Sequence, residues 1–153
     1  MLNPDFRDML SAFDEAGAEY LLVGAYAMAV HGYVRATGDM DLWVRPDPAN
    51  ARRVLGALRR FGAPTAGVSE RDLEQSDVVL QLGVPPRRID VLTSIDGVAF
   101  DEAWTARREV DIEGLRVPVI SKAHLIRNKE ATGRPRDRSD VAGLRGADES
   151  SLD

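Results

Sequence analysis

Three aspartates in this sequence have the residue type and the spacing of a metal-binding site. Asp39 and Asp41 are separated by a single residue in a segment of alternating polarity. Residues two apart on a β-strand point to the same face, with ~6–7 Å between their Cα atoms. Two carboxylates at this distance repel each other unless a cation lies between them. The pair therefore predicts a site for one or two divalent ions.

Asp90 is the candidate for a third carboxylate ligand. It occupies the middle of a second strand candidate, in which Arg88, Asp90 and Leu92 share one face. If the two strands are neighbours, the cluster of Asp39, Asp41 and Asp90 suits two Mg2+ ions, with Mn2+ as the alternative metal. Two ions held in this way clamp the attacking and leaving oxygens of an in-line phosphoryl displacement.

Gly24 provides the second half of such a site, for phosphate groups. It lies between a short apolar run and a segment of small residues that begins at Ala25 and has the composition of a helix. Glycine lets the backbone approach a triphosphate closely, and the unpaired N–H groups at a helix N-terminus attract anions. The order strand, glycine, helix therefore predicts a site for nucleotide phosphates at Gly24 and Ala25.

The elements that must position these residues follow from periodicity and capping signals. Helices are predicted over residues 3–17, 25–31, 47–62, 100–106, 121–132 and 137–144. Strands are predicted over 20–23, 39–44, 78–82, 88–92, 109–112 and 115–119, with a polar link at 35–38 and a turn at 83–86. This mixture predicts one α/β (α+β) domain over residues 1–145, with a small mixed sheet flanked by helices and further helices at the C-terminus. Residues 146–153 are expected to form a flexible tail.

Length and composition limit the kinds of protein that this chain can be. At 153 residues, 44% hydrophobic and 29% charged, it fits a single soluble globular domain. It has no cysteine, no apolar run near the ~20 residues of a membrane span and no signal-peptide pattern, so a cytoplasmic protein without membrane contact is expected. The net charge of -5 argues against general DNA binding, although a basic patch lies between residues 122 and 138.

The stretch that contains Gly24, Asp39 and Asp41 resembles a known enzyme signature. Residues 20–44 read Y-L-L-V-G-A-Y-A-M-A-V-H-G-Y-V-R-A-T-G-D-M-D-L-W-V, which is similar to the hG[GS]…Dh[DE]h signature of the polymerase-beta-like nucleotidyltransferase superfamily. The later R-I-D-V-L around Asp90 matches the third carboxylate strand of that superfamily. The basic segment 121–140 resembles the C-terminal part of its small bacterial members, which include AbiEii-type toxin nucleotidyltransferases.

The resemblance implies the nucleotidyltransferase fold and a role for each candidate residue. The three aspartates would bind metal and act in catalysis, and Asp90 would also accept the proton of the attacking hydroxyl. Gly24 and Ala25 would line the phosphates, and Lys129 would contact the triphosphate. The implied reaction moves a nucleoside monophosphate from a nucleoside triphosphate to an acceptor hydroxyl on tRNA, a protein or a small molecule, with release of pyrophosphate. A toxin–antitoxin setting, with an antitoxin as partner, is also implied.

Ala25 departs from the signature, in which glycine or serine usually follows the first glycine. A serine hydroxyl would donate a hydrogen bond to a phosphate oxygen, whereas Ala25 offers only its backbone N–H, a loss of ~1–3 kcal/mol. Two alternatives to an active enzyme therefore stay open. One is a catalytically degenerate member of the fold that binds a nucleotide or a protein partner. The other is an unrelated α/β interaction module whose aspartates lie on the surface.

The candidate site residues also have plain structural interpretations. An Asp-x-Asp segment is also typical of a solvated strand end, and Asp90 could form a surface ion pair with Arg87 or Arg88, which would contribute little stability. Gly24 could simply permit a tight turn.

The remaining polar candidates have structural readings too. Asp137 and Asp140 have the spacing of a helix cap with an acidic third position. Lys129 could be functional or a buried lysine with a structural partner. His31 is expected to be structural and His124 to lie on a helix surface, and neither has a second histidine at zinc-ligand spacing.

Overall fold

A computed structural model describes residues 2–35, 38–84 and 87–147 of the chain. Its helices are α1 (Pro4–Ala16), α2 (Gly24–Val30), α3 (Pro48–Phe61), α4 (Glu70–Leu73), α5 (Phe100–Thr105), α6 (Lys122–Thr132) and α7 (Pro135–Gly146). Its strands are β1 (Tyr20–Val23), β2 (Asp39–Val44), β3 (Val79–Leu82), β4 (Arg88–Leu92), β5 (Arg108–Ile112) and β6 (Leu115–Val119).

The six strands form one mixed sheet in the order β3-β4-β2-β1-β6-β5. β2 pairs in parallel with β4 and antiparallel with β1, so β2 lies between the other two strands of the candidate site. β1 pairs in parallel with β6, and two antiparallel pairs, β3 with β4 and β5 with β6, complete the sheet. The prediction of a small mixed sheet flanked by helices is confirmed.

Helices cover both faces of the sheet, and the strand alternation shows which face each helix covers. Tyr20 packs edge-on against Phe13 of α1, and α1 packs against α3. Trp43 points to the opposite face from Tyr20, because Leu21 and not Tyr20 is its cross-strand partner. On that opposite face Trp43 packs edge-on against Phe100 of α5, with 5.1 Å between the ring centroids. The face that carries Asp39 and Asp41 is therefore buried at one end and available for chemistry at the other.

Local capping chemistry sets most helix boundaries where the sequence predicted them. The side chains of Asn3, Asp47 and Ser121 accept hydrogen bonds from the first turns of α1, α3 and α6. Gly17 and Gly62 end α1 and α3 in the left-handed conformation. These boundaries follow from short sequence patterns, which is why they could be predicted.

Among the elements that differ from the predictions, the last helix and α4 differ most. The last helix begins at Pro135 with Arg134 as its N-cap, so the predicted start at Asp137 was wrong, and proline at the first helical position was the stronger signal. The short helix α4 was not predicted, although Ser69 and Asp72 form a capping box there.

Some predicted features fall outside the described residues. Residues 36–37 of the polar link, 85–86 of the turn and 148–153 of the tail are among these, whereas Gly146 is the last residue of α7. Among the helices that the structure describes, none is long and apolar enough to cross a membrane.

Candidate active site

The parallel pairing of β2 with β4 brings the three aspartates to one place on one face of the sheet. Asp41 lies directly opposite Asp90, and Asp39 lies opposite Arg88. Asp90 is 8% exposed, whereas Asp39 and Asp41 are partly exposed. The three carboxylates thus share one face, with Asp90 the most buried of them.

Gly24 lies against the carboxylate of Asp41. β1 is antiparallel to β2 and places Val23 opposite Asp41, so the chain turns into α2 beside that side chain. Gly24 has a φ of +70°, and a Cβ atom at this position would overlap Asp41 Oδ2 and lie 3.0 Å from Asp41 Cγ. Glycine is therefore required here both for the backbone conformation and for the close approach of the carboxylate. Ala25, the next residue, is buried.

Arg88 links two of the three carboxylates. Its Nη2 atom lies 2.9 Å from Asp39 Oδ2, and its Nε atom lies 3.1 Å from Asp90 Oδ1. Nη2 also donates a hydrogen bond to Asp90 Oδ2 at 3.2 Å, but the Nε contact is not aligned as a hydrogen bond, and Asp90 Oδ1 is buried. The predicted pairing of Asp90 with Arg88 is therefore present, but it is not a surface ion pair, because Asp90 is buried.

The electrostatic environment disfavours ionisation of Asp41. Burial raises the pKa of Asp41 to about 6, with further contributions from the carboxylates of Asp90 and Asp39, while the charges of Arg88 and Lys129 lower it. Burial also raises the pKa of Asp90, and Arg88 opposes that rise. A cation bound among these carboxylates would remove the repulsion that raises the pKa of Asp41.

The three aspartates fit a Mg2+ ion in chemical type, because Mg2+ prefers carboxylate oxygens. Within residues 2–35, 38–84 and 87–147, however, no three acidic or histidine side chains already surround a position for an ion. Asp39 and Asp90 instead point to Arg88. A metal ion bound among the three aspartates would therefore compete with Arg88 for the carboxylates of Asp39 and Asp90.

Lys129 lies on α6 between two buried carboxylates of α7. Its Nζ atom is 3.1 Å from Asp140 Oδ2 and 3.5 Å from Asp137 Oδ1, and the residue is 8% exposed. Asp140 forms a buried ion pair and does not cap a helix. Asp137 is the third residue of α7, where it accepts the backbone N–H of Arg134, so it has the acidic role that the sequence assigned to Asp140. Lys129 thus has the buried partners of the structural interpretation. Its charge also lowers the pKa of Asp41, and its contact with a triphosphate stays a prediction.

The two histidines lie outside this site. His31 is fully buried, and its Nε2 lies 2.7 Å from the carbonyl oxygen of Ile120, as expected for a structural histidine. His124 was predicted to lie on a helix surface, but its side chain is only 13% exposed and its Nε2 lies 3.5 Å from Glu102. The surface prediction for His124 is therefore wrong.

Sequence reasoning missed two contributors to the site. Arg88 was considered only as a surface partner of Asp90. It lies on β4, and its contact with Asp39 of β2 follows from the β2–β4 register. Arg35 donates two hydrogen bonds to Asp140, at 3.0 and 3.2 Å, across 105 residues of sequence. No local pattern indicates a contact between residues so far apart.

No protein-family model matches the chain, and no curated protein matches its sequence. Solved structures do match. The lincosamide antibiotic adenylyltransferase LnuA, solved with lincomycin bound, superimposes with a TM-score of 0.60 at 16% identity, covering 95% of this chain and 98% of LnuA.

Two further solved structures match over most of their lengths. TM1012 from Thermotoga maritima, a candidate nucleotidyltransferase, gives a TM-score of 0.59 at 15% identity, covering 95% of this chain and 93% of TM1012. The antibiotic-resistance factor ANT(2'')-Ia gives 0.60 at 16% identity, covering 92% of this chain and 79% of that protein. At these identities the likeness shows the fold, which is that of nucleotidyltransferases, and the closer resemblance to AbiEii-type toxins stays a prediction.

Proposed function

We propose that this chain is a Mg2+-dependent nucleotidyltransferase that moves a nucleoside monophosphate from a nucleoside triphosphate to an acceptor hydroxyl. The observation that carries the proposal is the parallel pairing of β2 with β4, which sets Asp41 opposite Asp90. Gly24 adjoins the same carboxylate, and the charge of Lys129 reaches it. The fold shared with LnuA and TM1012 supports the same class of reaction.

In this proposal Asp39, Asp41 and Asp90 hold the metal. When bound, Mg2+ offsets the negative charge of the triphosphate and of the departing pyrophosphate. Two residues of the chain act on the phosphates themselves. Gly24 lets the backbone lie against the phosphates, and Lys129 offsets part of their charge.

The proposed reaction is an in-line displacement at the α-phosphorus. The acceptor oxygen forms a bond to this phosphorus while the bond from it to the oxygen that bridges to the β-phosphate breaks, and pyrophosphate leaves. Asp90 takes the proton of the acceptor hydroxyl. Burial raises the pKa of Asp90, which makes its carboxylate a better proton acceptor than an exposed aspartate.

The proposal is tested first by nucleotide binding. ATP, GTP, CTP and UTP are titrated calorimetrically with Mg2+, and then with Mn2+, into the wild type and into Asp39→Asn/Asp41→Asn. We expect metal-dependent binding of at least one nucleotide by the wild type and its loss in the double variant. Asp8→Asn, at an exposed position on α1, is the matched control and should bind as the wild type does. Absence of binding by the wild type would refute the proposal.

The acceptor is sought with the nucleotide that binds. The panel consists of tRNA, proteins of a cell extract, and hydroxyl-bearing antibiotics that include lincomycin, since LnuA was solved with that compound. Pyrophosphate release that depends on one acceptor and on Asp41 identifies it. The proposed toxin–antitoxin role predicts that expression of the wild type slows growth and that Asp41→Asn removes this effect.

A second candidate function is a degenerate member of the fold that binds a nucleotide without transferring it. Ala25 favours this candidate, because it provides no hydroxyl for a phosphate oxygen. The contacts of Arg88 with Asp39 and Asp90 also favour it, because they compete with metal binding. Nucleotide binding without pyrophosphate release over the whole acceptor panel would select this function, and Ala25→Ser would then be the first variant to assay for recovered turnover.

A further inference from the structure

Lys129 belongs to a cluster of five charged side chains in which each carboxylate has an arginine of its own. Asp140 is 1% exposed and accepts two hydrogen bonds from Arg35 Nη1, at 3.0 and 3.2 Å. Asp137 is fully buried and accepts hydrogen bonds from Arg134 Nε at 2.8 Å and Nη2 at 3.3 Å. Lys129 contacts both carboxylates. Without Lys129 the cluster would still be electrically neutral.

The hydrogen bonds of the two carboxylates also depend little on Lys129. Asp137 accepts the hydroxyl of Thr132 at 2.7 Å and the backbone N–H of Arg134 at 3.2 Å, in addition to the guanidinium. Asp140 keeps both contacts to Arg35. A buried carboxylate left without a partner strongly destabilises the folded protein. Because of Arg35 and Arg134, movement of Lys129 away from the cluster avoids most of that destabilisation.

Lys129 is thus the surplus cation of the cluster, and its helix adjoins the element that borders the aspartate site. Lys129 lies on α6, α6 packs against α2, and Gly24 at the start of α2 lies against the carboxylate of Asp41. An anion bound beside Asp41 would attract Lys129 away from Asp140. The free energy needed for this exchange depends on what remains beside Asp140.

We infer that Arg35 is a positioning residue whose charge stays with Asp140 and so leaves Lys129 able to bind the phosphates of a nucleotide. The inference rests on the proposed function, because it assigns Lys129 to that ligand. It gives Arg35 no contact with the substrate. Arg35 acts through Asp140, and its loss would make Asp140 retain Lys129.

Four variants test the inference: Arg35→Gln, Asp140→Asn, the two combined, and Arg136→Gln as the control at an exposed position of α7. The probe is the Mg2+ complex of whichever of ATP, GTP, CTP and UTP binds the wild type most tightly. We expect Arg35→Gln to raise its Kd at least about 10-fold, because Lys129 then pairs with an otherwise uncompensated carboxylate. Asp140→Asn removes that carboxylate, so the double variant should return to within about 3-fold of the wild type.

If Arg35 had only a structural role, a second substitution in the same cluster would weaken nucleotide binding further. Recovery of binding in the double variant therefore indicates the positioning role. Thermal melting of each variant records stability independently. Arg35→Lys keeps the charge, and Arg35 makes both hydrogen bonds to Asp140 from one nitrogen, Nη1. We expect this variant to bind the nucleotide within about 3-fold of the wild type, so it tests the inference if Arg35→Gln does not fold.

The inference is overturned if Arg35→Gln binds as the wild type does, if the double variant binds no better than Arg35→Gln, or if Arg35→Lys loses binding while remaining folded. Failure of the wild type to bind any of the four nucleotides would instead refute the proposed function, and the inference with it.

Discussion

Gly24 and Gly17 differ in a way that isolates the contact between Gly24 and Asp41. Both have left-handed backbone conformations, with φ of +70° and +69°, but a Cβ atom at Gly17 would have no neighbour within 4 Å, whereas at Gly24 it would overlap Asp41. Alanine at either position carries a similar conformational cost of roughly 1 kcal/mol. Only alanine at Gly24 also displaces a carboxylate of the candidate site.

We therefore predict that Gly24→Ala reduces the affinity for the Mg2+–nucleotide complex at least about 10-fold, while Gly17→Ala leaves it unchanged. Both variants should lose stability, and Gly24→Ala should lose more. Calorimetric titration and urea unfolding give the two quantities. Equal affinities in the two variants would show that the position of Asp41 does not depend on Gly24.

The pKa of Asp41 leads to a prediction about stability in metal-free buffer. In the unfolded chain an aspartate titrates near its ordinary pKa of ~3.9, whereas burial and the carboxylates of Asp90 and Asp39 raise the pKa of Asp41 to about 6 in the folded protein. The folded state therefore binds this proton more tightly. The resulting stabilisation is fully present below about pH 4 and is lost as the pH rises through about 6.

Asp41→Asn resembles the protonated form and avoids this loss. With EDTA present, we predict that it melts at a higher temperature than the wild type at pH 8, and that the difference shrinks at pH 5. Each kcal/mol saved by not ionising the buried side chain should raise the melting temperature by about 2–4 °C. Asp8→Asn, which removes an exposed carboxylate of α1, is the control for the loss of one negative charge. A lower melting temperature for Asp41→Asn at pH 8 would contradict a destabilising ionisation of Asp41 in the folded protein.

At the scale of elements, α7 contacts the segment that follows α2 through close packing as well as through an ion pair. A Cβ atom on Gly143 would lie 2.6 Å from Cζ of Tyr33, so the ring of Tyr33 occupies the space that a side chain would need. Two residues further along this segment, Arg35 contacts Asp140 of the same helix. α7 thus contacts the segment after α2 through two residues, Asp140 and Gly143, which lie about one helical turn apart.

Alanine normally stabilises a helix by ~0.5–1 kcal/mol relative to glycine. We predict this gain for Gly56→Ala in the middle of α3, where a Cβ atom would meet nothing within 4 Å. Gly143→Ala should instead destabilise the protein by about 1–3 kcal/mol, because it overpacks against Tyr33. Urea unfolding compares the two variants, and stabilisation by Gly143→Ala would mean that α7 is not docked on Tyr33.

A structural feature can be predicted from the sequence when residues close together in the chain determine it, and much less so when residues far apart do. The bounds of β1, β2 and α3 follow from local alternation, caps and glycines, and they lie where the sequence predicted them. The candidate site depends on the pairing of β2 with β4 and on the contact of Arg35 with Asp140, which join distant segments. From the sequence, only the family resemblance indicated that the strand of Asp90 adjoins the strand of Asp39 and Asp41. No sequence signal indicated the contact of Arg35 with Asp140.

At the scale of the whole molecule, metal binding should be measurable as stability. A ligand that binds only the folded state stabilises it in proportion to the logarithm of its concentration above Kd. We predict that Mg2+ raises the melting temperature of the wild type at pH 8 and leaves that of Asp39→Asn/Asp41→Asn unchanged. NaCl at the same ionic strength serves as the control for a general ionic effect. An equal response of the two proteins to Mg2+ would place the ion elsewhere on the chain.

The order of strands in the sheet also determines when the site can exist during synthesis. Asp39 and Asp41 leave the ribosome early, but their partner strand β4 follows only after α3, α4 and β3, and Lys129 and Asp140 come later still. Contacts between such distant segments form late in folding and slowly. A nascent chain therefore carries the glycine and two carboxylates without a nucleotide site. The onset of nucleotide binding would then report that the fold is complete, so it could be used to follow folding on the ribosome.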